Sequence, residues 1–234
     1  VFYDKEEGPA ADNGLEEVLE RAAWLSEADF AIVMEPTDLS LELGCNGAIN
    51  ADVVFHGKSA HSARPWLGEN AITKAGEWLA AMDARQPNPV EIHGLEYREV
   101  FSVTKASGGV ANNVLPSEFI VNLNYRFPPT YTLDAAERRL RDVAAGADRI
   151  EVTDRAAAGA IPEGNRHLAR FEGLVDGAIT AKQGWTDVAR LTARGIPAAN
   201  YGPGEVAQAH QAGESVTAEN LDVAYSVLRR FLLT

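Results

Sequence analysis

The hydrophobic pattern changes twice along this 234-residue chain, and this double change limits the possible folds more than any other feature. Residues up to about 45 combine an amphipathic helix with a short, uniformly apolar strand, as in an α/β layer. From about Gly47 the strands instead alternate apolar and polar residues, as half-buried strands do. After Ala160 the first pattern returns. The sequence therefore predicts an α/β domain that is interrupted by an inserted domain.

The inserted segment has the order β-α-β-β-α-β. Strands are expected over residues 49–55, 98–105, 118–127 and 149–153, and helices over residues 70–84 and 133–145. This order is typical of a ferredoxin-like sandwich, with a four-stranded antiparallel sheet and both helices on one face. Its first and last strands are neighbours, so both chain ends leave from one side, which suits an insertion.

The flanking segments predict the α/β part. We expect helices over residues 13–25, 168–181 and 218–233 and from Val188 onward, and strands over residues 30–34 and 198–201. Asn13 and Thr217 are the expected N-caps of two of these helices. The first four residues, Val-Phe-Tyr-Asp, are typical of the end of a buried strand. We therefore expect the chain to be part of a longer protein.

Composition excludes several classes of protein. A formal net charge of −13 repels phosphate backbones, which argues against a nucleic-acid partner. No stretch approaches the ~18 apolar residues of a membrane span, so no membrane partner is expected. The single cysteine, Cys45, cannot form an internal disulfide, which favours a cytoplasmic location. We interpret Cys45 as a small, mostly buried residue.

Four side chains of the α/β part are candidates for metal chemistry. Glu6 and Glu7 follow the first apolar run, Glu35 follows the next predicted strand, and His210 follows a Gly-Pro-Gly loop. Active sites of α/β folds gather at the carboxyl ends of strands, and carboxylate oxygen with imidazole nitrogen suits Zn²⁺. One of the paired glutamates would then act as a general base. Taken singly, each residue is more typical of an exposed surface position.

A second group of polar candidates lies in the inserted segment: His61, Asn112, Asn113 and Arg126. The alternatives are that Arg126 is an exposed cation on a sheet face and that the two asparagines only form a turn. The remaining histidines have no partner suggested by sequence, and we interpret them as structural; they are His56, His93 and His167.

Seven short segments, in this order, carry a resemblance to a known family. They are residues 1–7 (VFYDKEE), 35–37 (EPT), 61–64 (HSAR), 109–116 (GVANNVLP), 124–127 (NYRF), 184–188 (GWTDV) and 209–210 (AH). Together they resemble the M20 family of dinuclear-zinc peptidases and deacylases, and most closely its members that remove succinate from an N-succinyl amino acid. The resemblance implies a zinc-peptidase-like α/β catalytic domain, residues 1–45 and 157–234. It also implies an inserted ferredoxin-like α+β lid and dimerisation domain, residues 46–156.

The resemblance also implies a role for each candidate in the hydrolysis of an amide. Glu6 would be the general base, Glu7 and His210 would bind one zinc ion, and Glu35 would bind the other, with cobalt as a possible substitute. His61 would reach the active site of the partner in a homodimer and stabilise the oxyanion. The expected contacts with a small N-acyl amino-acid substrate are made by Asn112, Asn113, Arg126 and Thr186.

Two departures from the family's pattern qualify this assignment. The His-x-Asp motif and the bridging aspartate that supply further metal ligands are not found, because only Asp4 precedes Glu6. Residues 44–47 (GCNG) stand where some relatives carry a substrate-binding arginine. We therefore expect these 234 residues by themselves to bind zinc weakly and to hydrolyse nothing. The alternatives are an acetylornithine deacetylase, another N-acyl amino-acid deacylase or a peptidase, and, from another class, a non-catalytic dimerising module.

Overall fold

A computed structural model describes residues 13–208 and 211–233. In chain order the helices and strands are α1 (Gly14–Arg21), β1 (Ala31–Val33), β2 (Leu41–Leu43), β3 (Gly47–His56), α2 (Ala71–Lys74), α3 (Gly76–Asp83), β4 (Asn88–Ile92), β5 (Leu95–Gly108), β6 (Glu118–Phe127), α4 (Leu133–Val143), β7 (Arg149–Ala156), α5 (Arg166–Glu172), β8 (Ile179–Ala181), α6 (Val188–Ala193), β9 (Ala198–Asn200) and α7 (Ala218–Leu233). No helix within these two ranges is long and apolar enough to cross a membrane.

The strands form two separate sheets, which confirms the predicted class of an α/β fold with an inserted sandwich. A four-stranded sheet has the order β1-β9-β2-β8, in which β1 is parallel to β9 and β2 is parallel to β8. A five-stranded sheet has the order β4-β5-β6-β3-β7, and all of its neighbours are antiparallel. We call the first sheet with α1, α5, α6 and α7 the split unit. The second sheet with α2, α3 and α4 is the inserted unit.

The core of the inserted unit lies between one face of its sheet and its three helices. Strands β3 and β6 pair with Val53 opposite Val121 and Ala51 opposite Leu123, so alternate apolar residues point to one face. Leu140 of α4 joins the same fully buried cluster. Phe101 and Tyr125, which lie opposite each other on β5 and β6, stack with ring centroids 4.0 Å apart. The two-residue pattern of the sequence therefore decides which face of the sheet is buried.

The inserted sheet has one strand more than we predicted. Strand β4 pairs with the first part of β5, and the turn between them consists of His93 and Gly94, both with positive φ. Two consecutive residues with positive φ are what a two-residue hairpin requires. The sequence prediction missed β4 because two prolines flank Asn88, and prolines in sheets are confined to edges.

The predicted helix over residues 168–181 is wrong in its second half. Helix α5 ends at Glu172, and residues 179–181 form β8, which pairs with β2. The approach of this segment to the rest of the chain explains the change. A Cβ atom on Gly177 would lie 2.4 Å from the carbonyl oxygen of Leu39, so only glycine fits there. The tertiary pairing therefore overrides the helical pattern.

The helices of the split unit cover both faces of its sheet. Helices α5 and α7 bury Phe171 and Phe231 against one face, and α1 and α6 bury Leu19 and Leu191 on the other. The predicted N-cap of α1 is confirmed, because the side chain of Asn13 accepts a hydrogen bond from the Leu15 amide. The result is a three-layer α/β unit.

Two connections join the units, and they run side by side. Cys45 in the first connection and Gly159 in the second exchange backbone hydrogen bonds of 3.2 and 3.0 Å. This matches the expectation that both ends of the insertion leave from one side. The domain boundaries at residues 45/46 and 156/157 remain predictions.

Candidate active site

Glu35 lies at the carboxyl end of β1, as predicted. Because β1 and β9 are parallel, the segment that follows β9 begins at the same edge of the sheet. The two segments are bound together: the Leu39 amide donates to Gly202 O at 3.0 Å, and the Asp38 amide donates to Gly204 O at 2.7 Å. A Cβ atom on Gly202 would lie 2.2 Å from the carbonyl oxygen of Glu35. This contact requires glycine and holds the half-buried Glu35 beside the loop that leads to residue 210.

The other three members of the predicted metal and base set, Glu6, Glu7 and His210, lie outside the described residues. Within residues 13–208 and 211–233, no three His, Cys, Asp or Glu side chains form a group able to hold a metal ion. The described part of the chain therefore contributes one suitable oxygen donor, Glu35, at the expected edge of the sheet. The complete ligand set remains a prediction.

Thr186 lies in the connection between β8 and α6 and is 1% exposed. Its carbonyl oxygen accepts hydrogen bonds from the Ala189 amide at 3.0 Å and from the Cys45 thiol at 3.6 Å. Its buried hydroxyl has no hydrogen-bond partner among the described residues.

Cys45 is fully buried, which confirms its interpretation as a small core residue. Burial raises the pKa of the Cys45 thiol, so the reactive thiolate is disfavoured. This environment argues against Cys45 as a nucleophile.

His61 and the two asparagines lie in two loops that are bonded to each other. The Ser62 amide donates to Asn113 O at 2.9 Å, and the Leu115 amide donates to Ala60 O at 2.8 Å. His61 is exposed, and its Nδ1 accepts a hydrogen bond from the Ala63 amide at 3.1 Å. In a neutral imidazole this bond leaves the proton on Nε2. His61 therefore presents an N–H donor to the surface.

Arg126 does not join this cluster, contrary to the grouping that we predicted. It pairs with Ala48 near the start of β3, whereas Glu118 at the other end of β6 pairs with His56, which leads into the His61 loop. Eight strand residues at 3.3 Å each separate the two ends by about 25 Å. Sequence proximity within one inserted segment could not reveal this separation. We call the end with His61, Asn112 and Asn113 the distal tip.

The surroundings of Arg126 suit it to bind an anion. Its Nε donates to Asn124 Oδ1 at 3.1 Å, while its terminal nitrogens have no hydrogen-bond or ion-pair partner among the described residues. Burial lowers the pKa of Arg126, and the charge of Asp154 opposes this effect. A half-buried guanidinium with free terminal nitrogens is a suitable fork for a carboxylate.

Sequence reasoning missed a buried ion pair beneath the Glu35 turn. Lys182 Nζ lies 2.7 Å from Glu42 Oε2 and 3.5 Å from the carbonyl oxygen of Pro36. Lys182 is 7% exposed. Glu42 stands between two leucines and Lys182 directly follows a three-residue strand, and these signals are too weak to indicate a pair 140 residues apart.

Comparisons with known proteins agree with this architecture. The sequence profile of the M20 peptidase dimerisation domain matches residues 43–150. A Mycobacterium tuberculosis protein named "putative succinyl-diaminopimelate desuccinylase DapE" is 46% identical over 99% of this chain and 66% of its own length. The succinyl-diaminopimelate desuccinylase of Corynebacterium glutamicum is 38% identical over 99% of this chain and 64% of its own length. The chain thus spans about two thirds of the length of these relatives.

Solved structures share the fold at low sequence identity. A tripeptidase from Staphylococcus aureus has a TM-score of 0.70 and 20% identity, covering 94% of this chain and 61% of that one. The dipeptidase Dug1p from Saccharomyces cerevisiae has a TM-score of 0.67 and 13% identity, covering 97% and 63%. The solved structures thus share the α/β fold with its inserted domain, and the sequence profile identifies the inserted domain as a dimerisation domain. This chain belongs to the M20 peptidase family, whose members are generally metal-dependent hydrolases.

Proposed function

We propose that this chain is the larger part of a zinc-dependent amide hydrolase that removes succinate from N-succinyl-LL-diaminopimelate. The names of the 46% and 38% identical relatives support this substrate. The reaction belongs to diaminopimelate and lysine biosynthesis. We further propose a cytoplasmic location, which the single buried cysteine favours.

The observation that carries the proposal is the separation of the polar residues into two groups. Arg126 lies at the end of the inserted sheet where the units join, and the distal tip lies about 25 Å further along this sheet. His61 therefore lies far from the Arg126 of its own chain. A homodimer through the inserted unit solves this problem, because each tip would extend to the partner's site. The match of residues 43–150 to a dimerisation domain supports this arrangement.

The surface of the distal tip suits contact with a second copy. Trp66 and Val110 lie in the two loops that carry His61 and Asn113, and they are 75% and 87% exposed. Leu67 is also 55% exposed. Several exposed apolar side chains on two loops that are bonded to each other suit an interaction site. The proposed dimer would bury them around His61.

The roles of the residues follow from their chemistry. Glu6 would take a proton from the attacking water and return it to the leaving amine. The His61 Nε2–H would donate to the oxyanion, and a preorganised donor of this kind is among the largest contributions to such reactions. Arg126 would pair with a substrate carboxylate.

Three further side chains would hold the substrate: Asn112, Asn113 and Thr186. Zinc, or cobalt in its place, would supply Lewis-acid polarisation of the amide carbonyl. Glu7, Glu35 and His210 would hold the metal, and their oxygen and nitrogen donors suit zinc.

A substrate panel tests the proposal. The polypeptide, expressed with any coding sequence that precedes Val1, is stripped of metal, reloaded with zinc and assayed on N-succinyl-diaminopimelate, N-acetylornithine and dipeptides. We expect zinc-dependent hydrolysis of the succinylated substrate with the highest kcat/KM. Preference for N-acetylornithine or a dipeptide would instead support another deacylase or a peptidase.

A non-catalytic dimerising module is the second candidate, favoured by the match to a dimerisation domain alone. Zinc titration separates the two candidates. A module of this kind would form dimers without binding zinc and without hydrolysing any substrate of the panel.

A further inference from the structure

Strand β5 contacts both units, and its two parts do so differently. Residues from Val100 to Gly108 pair with β6, whereas residues from Leu95 to Glu99 pair with β4 alone. Without another partner, the free edge of Leu95–Glu99 would present unpaired backbone N–H and C=O groups. In the structure these groups are bound by side chains from outside the inserted sheet.

Gln183 provides most of this binding. Its Oε1 accepts a hydrogen bond from the Arg98 amide at 3.0 Å, and its Nε2 donates to the carbonyl oxygen of Glu96 at 2.8 Å. One primary amide thus satisfies a donor and an acceptor on the same strand edge, as a neighbouring strand would. Asn46 completes the edge by donating from Nδ2 to Arg98 O at 2.9 Å.

The same part of β5 is anchored at the first connection between the units. Tyr97 is fully buried, and its hydroxyl donates to Leu43 O at 2.7 Å. Gly44 has a φ of 56°, and a Cβ atom there would lie 2.5 Å from the Tyr97 hydroxyl oxygen. The β4–β5 hairpin is therefore a third link between the units, beside the two chain connections.

Gln183 is also the first residue of the segment that carries Thr186. Further along this segment, Trp185 Nε1 donates to Ala157 O in the second connection at 3.1 Å, and Cys45 in the first connection contacts Thr186 O. Residues 183–187 thus touch the hairpin and both connections. A change in the orientation of the inserted unit must act on this segment.

We propose that Gln183 is a positioning residue that fixes the segment of Thr186 to the orientation of the inserted unit. Its consequence for turnover rests on the proposed function, since Thr186 contacts substrate only there. Loss of the Gln183 amide would loosen residues 184–187 without unfolding either core, because Gln183 is exposed and belongs to neither core.

Hydrogen–deuterium exchange of the polypeptide, expressed with any coding sequence that precedes Val1, tests the positioning directly. Gln183→Ala is compared with wild type and with Gln86→Ala, a matched change at an exposed glutamine that precedes β4. We expect exchange in peptides over residues 184–190 to rise about threefold or more in Gln183→Ala, with Tm unchanged. Gln183→Glu keeps the acceptor for the Arg98 amide but loses the donor, so its effect should be intermediate.

Two results would overturn the proposal. One is faster exchange at the Arg98 amide with no change over residues 184–190. The other is an increase over the whole chain with a lowered Tm, which would indicate general destabilisation.

Steady-state kinetics provide a second test. On N-succinyl-diaminopimelate, Gln183→Ala should raise KM about fivefold with kcat within about twofold of wild type, as expected for lost hydrogen bonds that position a binding group. A fall in kcat with unchanged KM would contradict a positioning role. If wild type hydrolyses no succinylated substrate, the proposed function fails, and the exchange measurement still decides the role of Gln183.

Discussion

At the scale of single residues, the buried carboxylate of Glu99 shows how the inserted unit keeps a charge in its core. Glu99 is 2% exposed, and it accepts hydrogen bonds from the Tyr125 hydroxyl at 2.7 Å and from Arg139 Nη2 at 2.7 Å. Burial acts to raise the pKa of Glu99, but the hydrogen bonds from Arg139 and Tyr125 outweigh it and hold the pKa below its ordinary value. The carboxylate therefore stabilises the folded state while it is charged.

Glu99→Gln should lower the free energy of unfolding by about 1–3 kcal/mol at pH 7, because it leaves Arg139 without its ion-pair partner. A carboxyl group whose pKa is lowered by folding stabilises the folded state at any pH above its unfolded-state pKa. This contribution disappears as the pH falls through the folded-state pKa. The difference from wild type should therefore shrink in acid. Urea unfolding at several pH values measures it, and Glu91→Gln on exposed β4 is the control. A difference that stays constant into acid would contradict this origin.

Arg126→Lys should raise KM for the succinylated substrate about tenfold, although the charge is retained, because lysine lacks the rigid fork that binds both carboxylate oxygens. Steady-state kinetics measure the change. Arg138→Lys is the matched control, since Arg138 is exposed on α4. Equal kinetics for Arg126→Lys and wild type would reduce Arg126 to a cation of the sheet face.

At the scale of elements, the sequence predicts best what local chemistry decides. The cap at Asn13 is a local signal, and so is the cap at Thr217, whose hydroxyl accepts from the Asn220 amide at 3.1 Å. Strands β2, β4 and β8 were missed because three to five residues carry little periodicity and their partners are distant in sequence. The candidate residues of both groups were proposed from short motifs. The separation of Arg126 from the distal tip along the sheet was not predicted, because the strand register along β6 is a tertiary property.

The two loops of the distal tip act as one element in the proposed dimer. Replacing Trp66 and Val110 together by serine should weaken dimerisation about tenfold or more, because the change removes large apolar side chains from the contact. Since both side chains are largely exposed, the Tm of the monomer should stay unchanged. Sedimentation equilibrium measures the dimer Kd.

Trp24→Ser is the control for the tip variant, since Trp24 is 68% exposed but lies in the split unit. An unchanged dimer Kd in the tip variant would exclude the tip from the interface.

At the scale of the whole molecule, the two units carry different parts of the proposed active site. The split unit holds Glu35 at the edge of a parallel strand pair, and the inserted unit carries His61 about 25 Å from the joint. A rigid antiparallel sheet suits this task, because it fixes the length over which the tip extends. The central claim is therefore that each active site is built from two chains.

Mixing two inactive variants tests this claim most directly. In the polypeptide expressed with any coding sequence that precedes Val1, His61→Ala should lower kcat by about 10²-fold or more, the cost of one oxyanion donor, and Glu6→Ala should remove the general base. In a mixed dimer, one site combines the intact Glu6 of one chain with the intact His61 of the other. Random exchange of equal amounts should restore about one quarter of wild-type activity, since half the dimers are mixed and each has one intact site. Activity that stays at the sum of the two variants, with subunit exchange verified by two different tags, would contradict the shared site.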